Sequence, residues 1–91
     1  MKSIEILIFG TQPPCTRCLQ AEKNAREAAA FYPEGLVSVE KCDAWSEQGI
    51  KSGITMTPTT IIQGEKAAVG KLLSIEELKS LLDGIIAGHV A

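Results

Sequence analysis

Two of the chain's three cysteines, Cys15 and Cys18, stand three residues apart. In a helical first turn, positions i and i+3 share a face. Their Cα atoms then fall within the roughly 4.4–6.8 Å that a disulfide tolerates. Such a pair opens and closes with little backbone movement. The chemistry open to it is thiol–disulfide exchange, or capture of a soft ion by thiolates. A purely structural bond is the third reading, and an odd cysteine count argues against a disulfide framework. In a reducing compartment a close Cys-x-x-Cys is more often redox-active or metal-binding than structural.

The surroundings of the pair make its two sulfurs unequal. An apolar run, Ile4-Glu5-Ile6-Leu7-Ile8-Phe9, ends at Gly10, and a helix-forming segment starts at Cys15 or Thr16. A strand therefore turns into a helix whose N-terminus bears the cysteines. Unpaired N–H groups and the macrodipole place about half a positive charge there, which favours thiolate over thiol. Cys15, nearer the helix start, is expected to attack, and Cys18, one turn in, to resolve. Pro14 suits the first helical positions, where a missing N–H costs nothing. Arg17 adds a cation that favours thiolate further.

The third thiol, Cys42, ends a second strand parallel to the first, so it falls on the same sheet edge as the pair. Read plainly it is a small buried hydrophobe. The sharper reading makes it a third thiol that traps a mixed disulfide or a soft ion. A structural zinc site needs four ligands, and beyond the pair the chain offers only Cys42 and His89, with no ligand spacing linking them. A metal reading therefore requires two molecules, or a thiol-only guest such as Cu(I) or arsenite. No resident metal is expected.

The elements that position these residues follow from pattern. Residues 4–9 read as a buried β-branched strand. The helix from 15 or 16 runs to Phe31 or Tyr32, with Leu19, Ala21, Ala25, Ala28, Ala29 and Tyr32 as its candidate buried side, and Pro33-Glu34-Gly35 stops it. Residues 36–42 alternate as a second strand. Asp43 is expected to cap a short helix through Gln48. Thr59-Thr60-Ile61-Ile62 is a third strand, Gln63-Gly64-Glu65-Lys66 a hairpin turn, and residues 66–70 a fourth strand. Ser74-Ile75-Glu76-Glu77 is a capping box. It opens a last helix with an apolar stripe at Ile75, Leu78, Leu81, Leu82 and Ile85, and Gly84, Gly88 and the tail at His89 suggest fraying. Trp45 is expected as a lid on the core edge or, alternatively, as a flank of the site whose fluorescence would report its redox state. Met56 is expected to pack or to line a groove, and Thr11 and Gln12 to flank the site.

The order β-α-β-α-β-β-α predicts an α/β fold. Its first two strands are parallel through a right-handed crossover, and the last two are antiparallel. The product is a four-stranded mixed sheet with helices on both faces, residues 1–91 forming one domain. Nine basic residues against eleven acidic ones give a net charge of −2, with no block of like charge. Nucleic-acid binding has no support. No apolar run approaches the roughly 20 residues of a membrane span, and the first strand lacks the features of a signal peptide. A cytoplasmic location is expected.

Cys15-x-x-Cys18 after strand one and Thr57-Pro58 before strand three resemble the thioredoxin fold in its small, glutaredoxin-sized form. The resemblance extends to Gly53-Ile54-Thr55-Met56-Thr57-Pro58-Thr59, Gly64-Glu65-Lys66, Gly70 and Ser74-Ile75-Glu76-Glu77-Leu78. Gly10-Thr11 and Glu22-Lys23-Asn24-Ala25-Arg26-Glu27-Ala28 are similar to the small archaeal and bacterial redox-active disulfide proteins. The resemblance implies a cis Thr57–Pro58 bond beside Cys15, with Thr57's backbone pairing a substrate chain like an added strand. It implies thiol–disulfide oxidoreductase activity in electron transport, with Cys15 and Cys18 catalytic and Thr16, Arg17, Thr57 and Pro58 at the substrate. No organic cofactor is implied. The implied partners are a disulfide-bearing protein and a thiol or reductase donor.

The chain departs from these families' patterns in three places, the first two from thioredoxin and the third from glutaredoxin. Pro14-Cys15-Thr16-Arg17-Cys18 replaces Trp-Cys-Gly-Pro-Cys. Phe9 stands where thioredoxin buries an acid, so a water or another group must take the resolving thiol's proton. No glutathione-binding constellation follows Arg17. Helix terminus and Arg17 together predict a potential less reducing than thioredoxin's. The alternative of another class is a soft-metal or metalloid carrier using the same thiols.

Overall fold

The computed structural model describes residues 3–11 and 16–90. Strands β1 (Ile4–Gly10), β2 (Val37–Asp43), β3 (Thr59–Ile62) and β4 (Glu65–Val69) alternate with helices α1 (Thr16–Ala29), α2 (Glu47–Lys51) and α3 (Ile75–Val90) in the order β-α-β-α-β-β-α. The sheet order is β2-β1-β3-β4. β1 runs parallel to β2 and antiparallel to β3, and β3 and β4 form an antiparallel hairpin. Gln63 and Gly64 both take positive φ, 53° and 82°, as a two-residue hairpin loop that follows strand twist demands.

β1 is central and covered on both faces. Ile4, Ile6 and Ile8 face Ala21, Ala25 and Ala28 of α1 and Leu78 and Leu82 of α3. Leu7 and Phe9 point the other way, into a smaller cluster with Cys42, Ala44 and Ile61. α2 closes this second layer, its buried Gly49 lying so close to the Ala44 backbone that a Cβ would collide with the Ala44 carbonyl. Helices thus lie on both faces of a four-stranded mixed sheet.

Several local expectations are corrected. α1 ends at Ala29, because Phe31 and Tyr32 bond back three residues, to Ala28 and Ala29, and Pro33 then forbids continuation. Leu19 is 51% exposed. The buried face of α1 is Cys18, Ala21, Asn24, Ala25 and Ala28. Asn24 is accommodated because its amide donates to Leu73 O at 2.9 Å and accepts from Gln20 at 2.7 Å. α2 begins four residues later than Asp43, with Ser46 as its cap, accepting from Gly49 N. Asp43 stays in β2, paired with Gly10. In α3, Leu81 is 40% exposed, and helical backbone continues past Gly84 to Val90. The capping box is complete, with Glu77 N donating to Ser74 Oγ and Ser74 N to Glu77 Oε1.

Candidate functional site

The site forms where three strands end together. Gly10 ends β1 opposite Asp43 of β2, and Phe9 pairs with Thr59 at the start of β3. Pro58, one residue before Thr59, therefore arrives at the level of Gly10. α1 begins at the same edge. Its first turn carries Thr16 and Arg17 outward and Cys18 inward, at 1% exposure. Cys15 lies outside the described residues, as do Gln12 and Pro14.

Cys18 rests on Gly10. A Cβ placed on Gly10 would stand 2.9 Å from Cys18 Cβ and 3.1 Å from Cys18 Sγ. The bare backbone of Gly10 is what lets the first turn of α1 settle onto the sheet end. Phe9, next to it, is fully buried and faces the opposite layer.

The second wall is the segment before β3. The Thr57–Pro58 bond is cis, Pro58 is buried, and Thr59 Oγ1 donates to Met56 O at 2.6 Å across the bend. Thr57 is half-buried and lines a cleft of about 110 Å³ with Thr11, Ala44, Trp45, Ile54 and Met56. Trp45 is 77% exposed and Met56 57% exposed, so Trp45 forms one rim of the cleft and does not roof the core. Asp43 fixes the backbone there, its carboxylate accepting from Trp45 N at 2.9 Å and its carbonyl from Ser46 Oγ at 2.6 Å.

Arg17 spans the two walls. Its Nη2 donates to Gly70 O at 3.1 Å, across 53 residues of chain. Gly70 has φ +67°, and a Cβ there would come within 2.8 Å of Met56 Cε.

Cys42 is held elsewhere. It pairs with Phe9 and shares its apolar layer, whereas Gly10 and Cys18 lie on the α1 side. The structure therefore does not bring Cys42 to Cys18, although both belong to one end of the sheet. Burial first, then the charges of Glu40 and Glu5, push the Cys42 thiol pKa up. Among the described residues, no three His, Cys, Asp or Glu side chains cluster as metal ligands would.

A family model for the thioredoxin domain matches residues 2–83. The chain belongs to the thioredoxin-domain family. It is 33% identical over 79 residues to a thioredoxin of Methanothermobacter thermautotrophicus, an alignment covering 87% of this chain and 97% of that protein. The fold superposes on thioredoxin-2 of the malaria parasite, a component of its protein secretion machinery, with a TM-score of 0.71 and 17% identity over 90% of this chain and 82% of the other. Another malarial protein of known structure gives the same score and identity over 91% and 97%. A thioredoxin-like redox role goes with this membership. No helix of the thioredoxin domain's described residues is long and apolar enough to cross a membrane.

Two residues of this thioredoxin-domain site were not legible as such. Gly10 and Gly70 have no side chain to announce a role. Gly10 nonetheless ends β1 and Gly70 directly follows β4, and a glycine at a strand end is the signal a sequence carries for close backbone approach.

Proposed function

We propose that the protein is a thiol–disulfide oxidoreductase working through Cys15 and Cys18. The Cys15 thiolate attacks one sulfur of a substrate disulfide. The S–S bond breaks, the departing sulfur leaves as a thiolate that takes a proton from water, and a mixed disulfide remains. The Cys18 thiolate, having lost its proton to solvent, then attacks the Cys15 sulfur and expels the second substrate thiol. Two electrons have passed to the substrate and a Cys15–Cys18 disulfide has formed. A dithiol donor restores it by the same steps in reverse. Thr57 and Pro58 offer backbone to an extended substrate, and Thr16 and Arg17 border it.

The observation that carries this reading is the position of Cys18. It is buried in the first turn of α1, against Gly10, at the sheet edge where the Thr57–Pro58 segment also arrives. A resolving thiol must be shielded from outside attack, and the burial of Cys18 supports that role, while the sequence spacing from Cys15 is that of one helical turn.

The test is a titration of wild type and Cys15→Ser against a dithiothreitol redox buffer, counting free thiols, with turnover measured on a peptide disulfide. A reversible two-electron transition, lost in Cys15→Ser and accompanied by turnover, is the expected result. Tight stoichiometric binding of arsenite or Cu(I) without turnover would replace it with a carrier role.

A further inference from the structure

The Arg17 side chain has a defined destination. It leaves the Cys-x-x-Cys turn and ends on the carbonyl of Gly70, where β4 has just finished. Among the described residues Arg17 joins no ion pair, so this bond is the partner that orients its guanidinium. The next link is steric. Gly70 turns with φ +67°, and the Met56 side chain occupies the space a Cβ would need, with Met56 Cε, Cβ and Sδ at 2.8, 3.1 and 3.2 Å from that point. The third link is covalent and hydrogen-bonded. Met56 precedes Thr57–Pro58, and its carbonyl receives Thr59 Oγ1. An unbroken series of contacts therefore runs from Arg17, the second of the two residues between the cysteines, to the Thr57–Pro58 wall.

We propose that Arg17 is a positioning residue for the exchange reaction. Its guanidinium ties the first turn of α1 to the Gly70 bend and, through Met56, holds the Thr57–Pro58 wall at the spacing an extended peptide disulfide needs. This rests on the disulfide-exchange reading. It differs from the view of Arg17 as a cation that merely favours thiolate, because a charge acts at any nearby position whereas the tie needs the full reach of the arginine side chain to the Gly70 carbonyl. A small disulfide that touches only the sulfurs does not use the wall, so the tie matters for peptide substrates.

The experiment compares wild type with Arg17→Lys, Arg17→Ala, Met56→Ala and the Arg17→Ala/Met56→Ala double variant. Substrates are a disulfide-linked peptide and hydroxyethyl disulfide, each followed across pH. Loss of one such hydrogen bond corresponds to a rise in KM of about two- to tenfold. That rise is expected for the peptide in both Arg17→Lys and Arg17→Ala, with a smaller change for hydroxyethyl disulfide and no shift in the midpoint of the pH–rate profile. Residues acting in series are non-additive, so the double variant is expected to match the worse single one. Wild-type KM in Arg17→Lys with a shifted pH midpoint in Arg17→Ala would mean Arg17 acts by charge alone and would overturn the proposal. Strictly additive effects would overturn it as well. Wild type that turns over neither substrate would instead defeat the exchange reading, before any variant is compared. The tie has a readout free of activity, the ¹³C-methyl NMR signal of Met56. It is expected to move in both Arg17 variants, and an unmoved signal would overturn the tie whatever the enzyme does.

Discussion

Gly10→Ala isolates the contact on which the site is built. The backbone of Gly10 lies outside the positive-φ region, so alanine adds one methyl group and no backbone strain. That methyl would stand 2.9 Å from Cys18 Cβ, while ordinary contact begins at 3.4 Å. The first turn of α1 must retreat by about 0.5 Å, the difference between those two distances. Overpacking of this kind costs about 1–3 kcal/mol. Replacing glycine returns about 0.4–1 kcal/mol by restricting the unfolded chain. The middles of these ranges leave a net loss of about 1.3 kcal/mol, which lowers the Tm of a domain this size by roughly 5–10 °C. The assay is thermal unfolding of the reduced protein, paired with the decay rate of a trapped mixed disulfide, which slows as Cys18 is displaced. A second variant separates the two atoms involved. Cys18→Ala removes the sulfur at 3.1 Å and leaves the Cβ at 2.9 Å, so most of the Gly10→Ala penalty persists in that background. A Gly10→Ala protein that melts and resolves like wild type would refute the reasoning.

Four further outcomes follow from the same structure. Gly84 sits exposed within α3 with open space around it, so Gly84→Ala stabilises by about 0.5–1 kcal/mol, read as a higher Tm. The single O–H of Tyr32 lies within hydrogen-bond reach of both Asp83 Oδ1 at 2.8 Å and Lys79 O at 3.1 Å, and Tyr32→Phe costs about 0.5–1.5 kcal/mol in denaturant unfolding. Burial, with the hydrogen bond to Asp83, raises the Tyr32 pKa from 10.0 to about 12. Its stabilisation is therefore full below pH 10 and lost as pH rises towards 12, and Tyr32→Phe flattens that alkaline limb. The Glu77 carboxyl is held below its usual range by Ser74 N–H and then by Lys71. Its contribution is present above the unfolded value near about 4.3 and fades as pH falls through the lower folded value, so Glu77→Gln flattens the acid limb of a stability–pH curve. Cys42, buried and raised in pKa, is expected to alkylate with iodoacetamide slowly and with a midpoint above that of an ordinary cysteine thiol, and Cys42→Ala to leave the Cys15–Cys18 redox midpoint in place.

What sequence reading captured was local in origin. β1, α1 and the capping box each follow from neighbours within a few residues, and Ser74-x-x-Glu77 makes both of its bonds. The misplacements came from competition between elements. Asp43 and Ser46 are both good caps, but Asp43 pairs with Gly10 in the sheet, which leaves the cap to Ser46. Leu19 and Leu81 are apolar and at helical spacing, yet the helix faces that meet the sheet are narrow and are filled by alanines, Leu78 and Leu82. The Arg17–Gly70 bond joins positions 53 apart, and no local pattern announces it.

The sheet's pleat settles which thiols can share a site. Cys18 and Cys42 both reach the same end of the sheet, and topology alone would set them together. Side chains alternate faces along a strand with a period of two. The parallel register pairs Cys42 with Phe9, and both project into the Leu7–Ala44–Ile61 layer. Gly10, one residue further, projects towards α1, and it is there that Cys18 rests. A shift of one residue in register would exchange these faces, but it would also expose Val39's partners and bury Glu40, which the apolar β1 core does not allow. The separation of Cys42 from Cys18 is thus enforced by the same alternation that builds the core. The sheet therefore sets Cys42 in the apolar layer with Phe9, on the face opposite the one against which Cys18 rests.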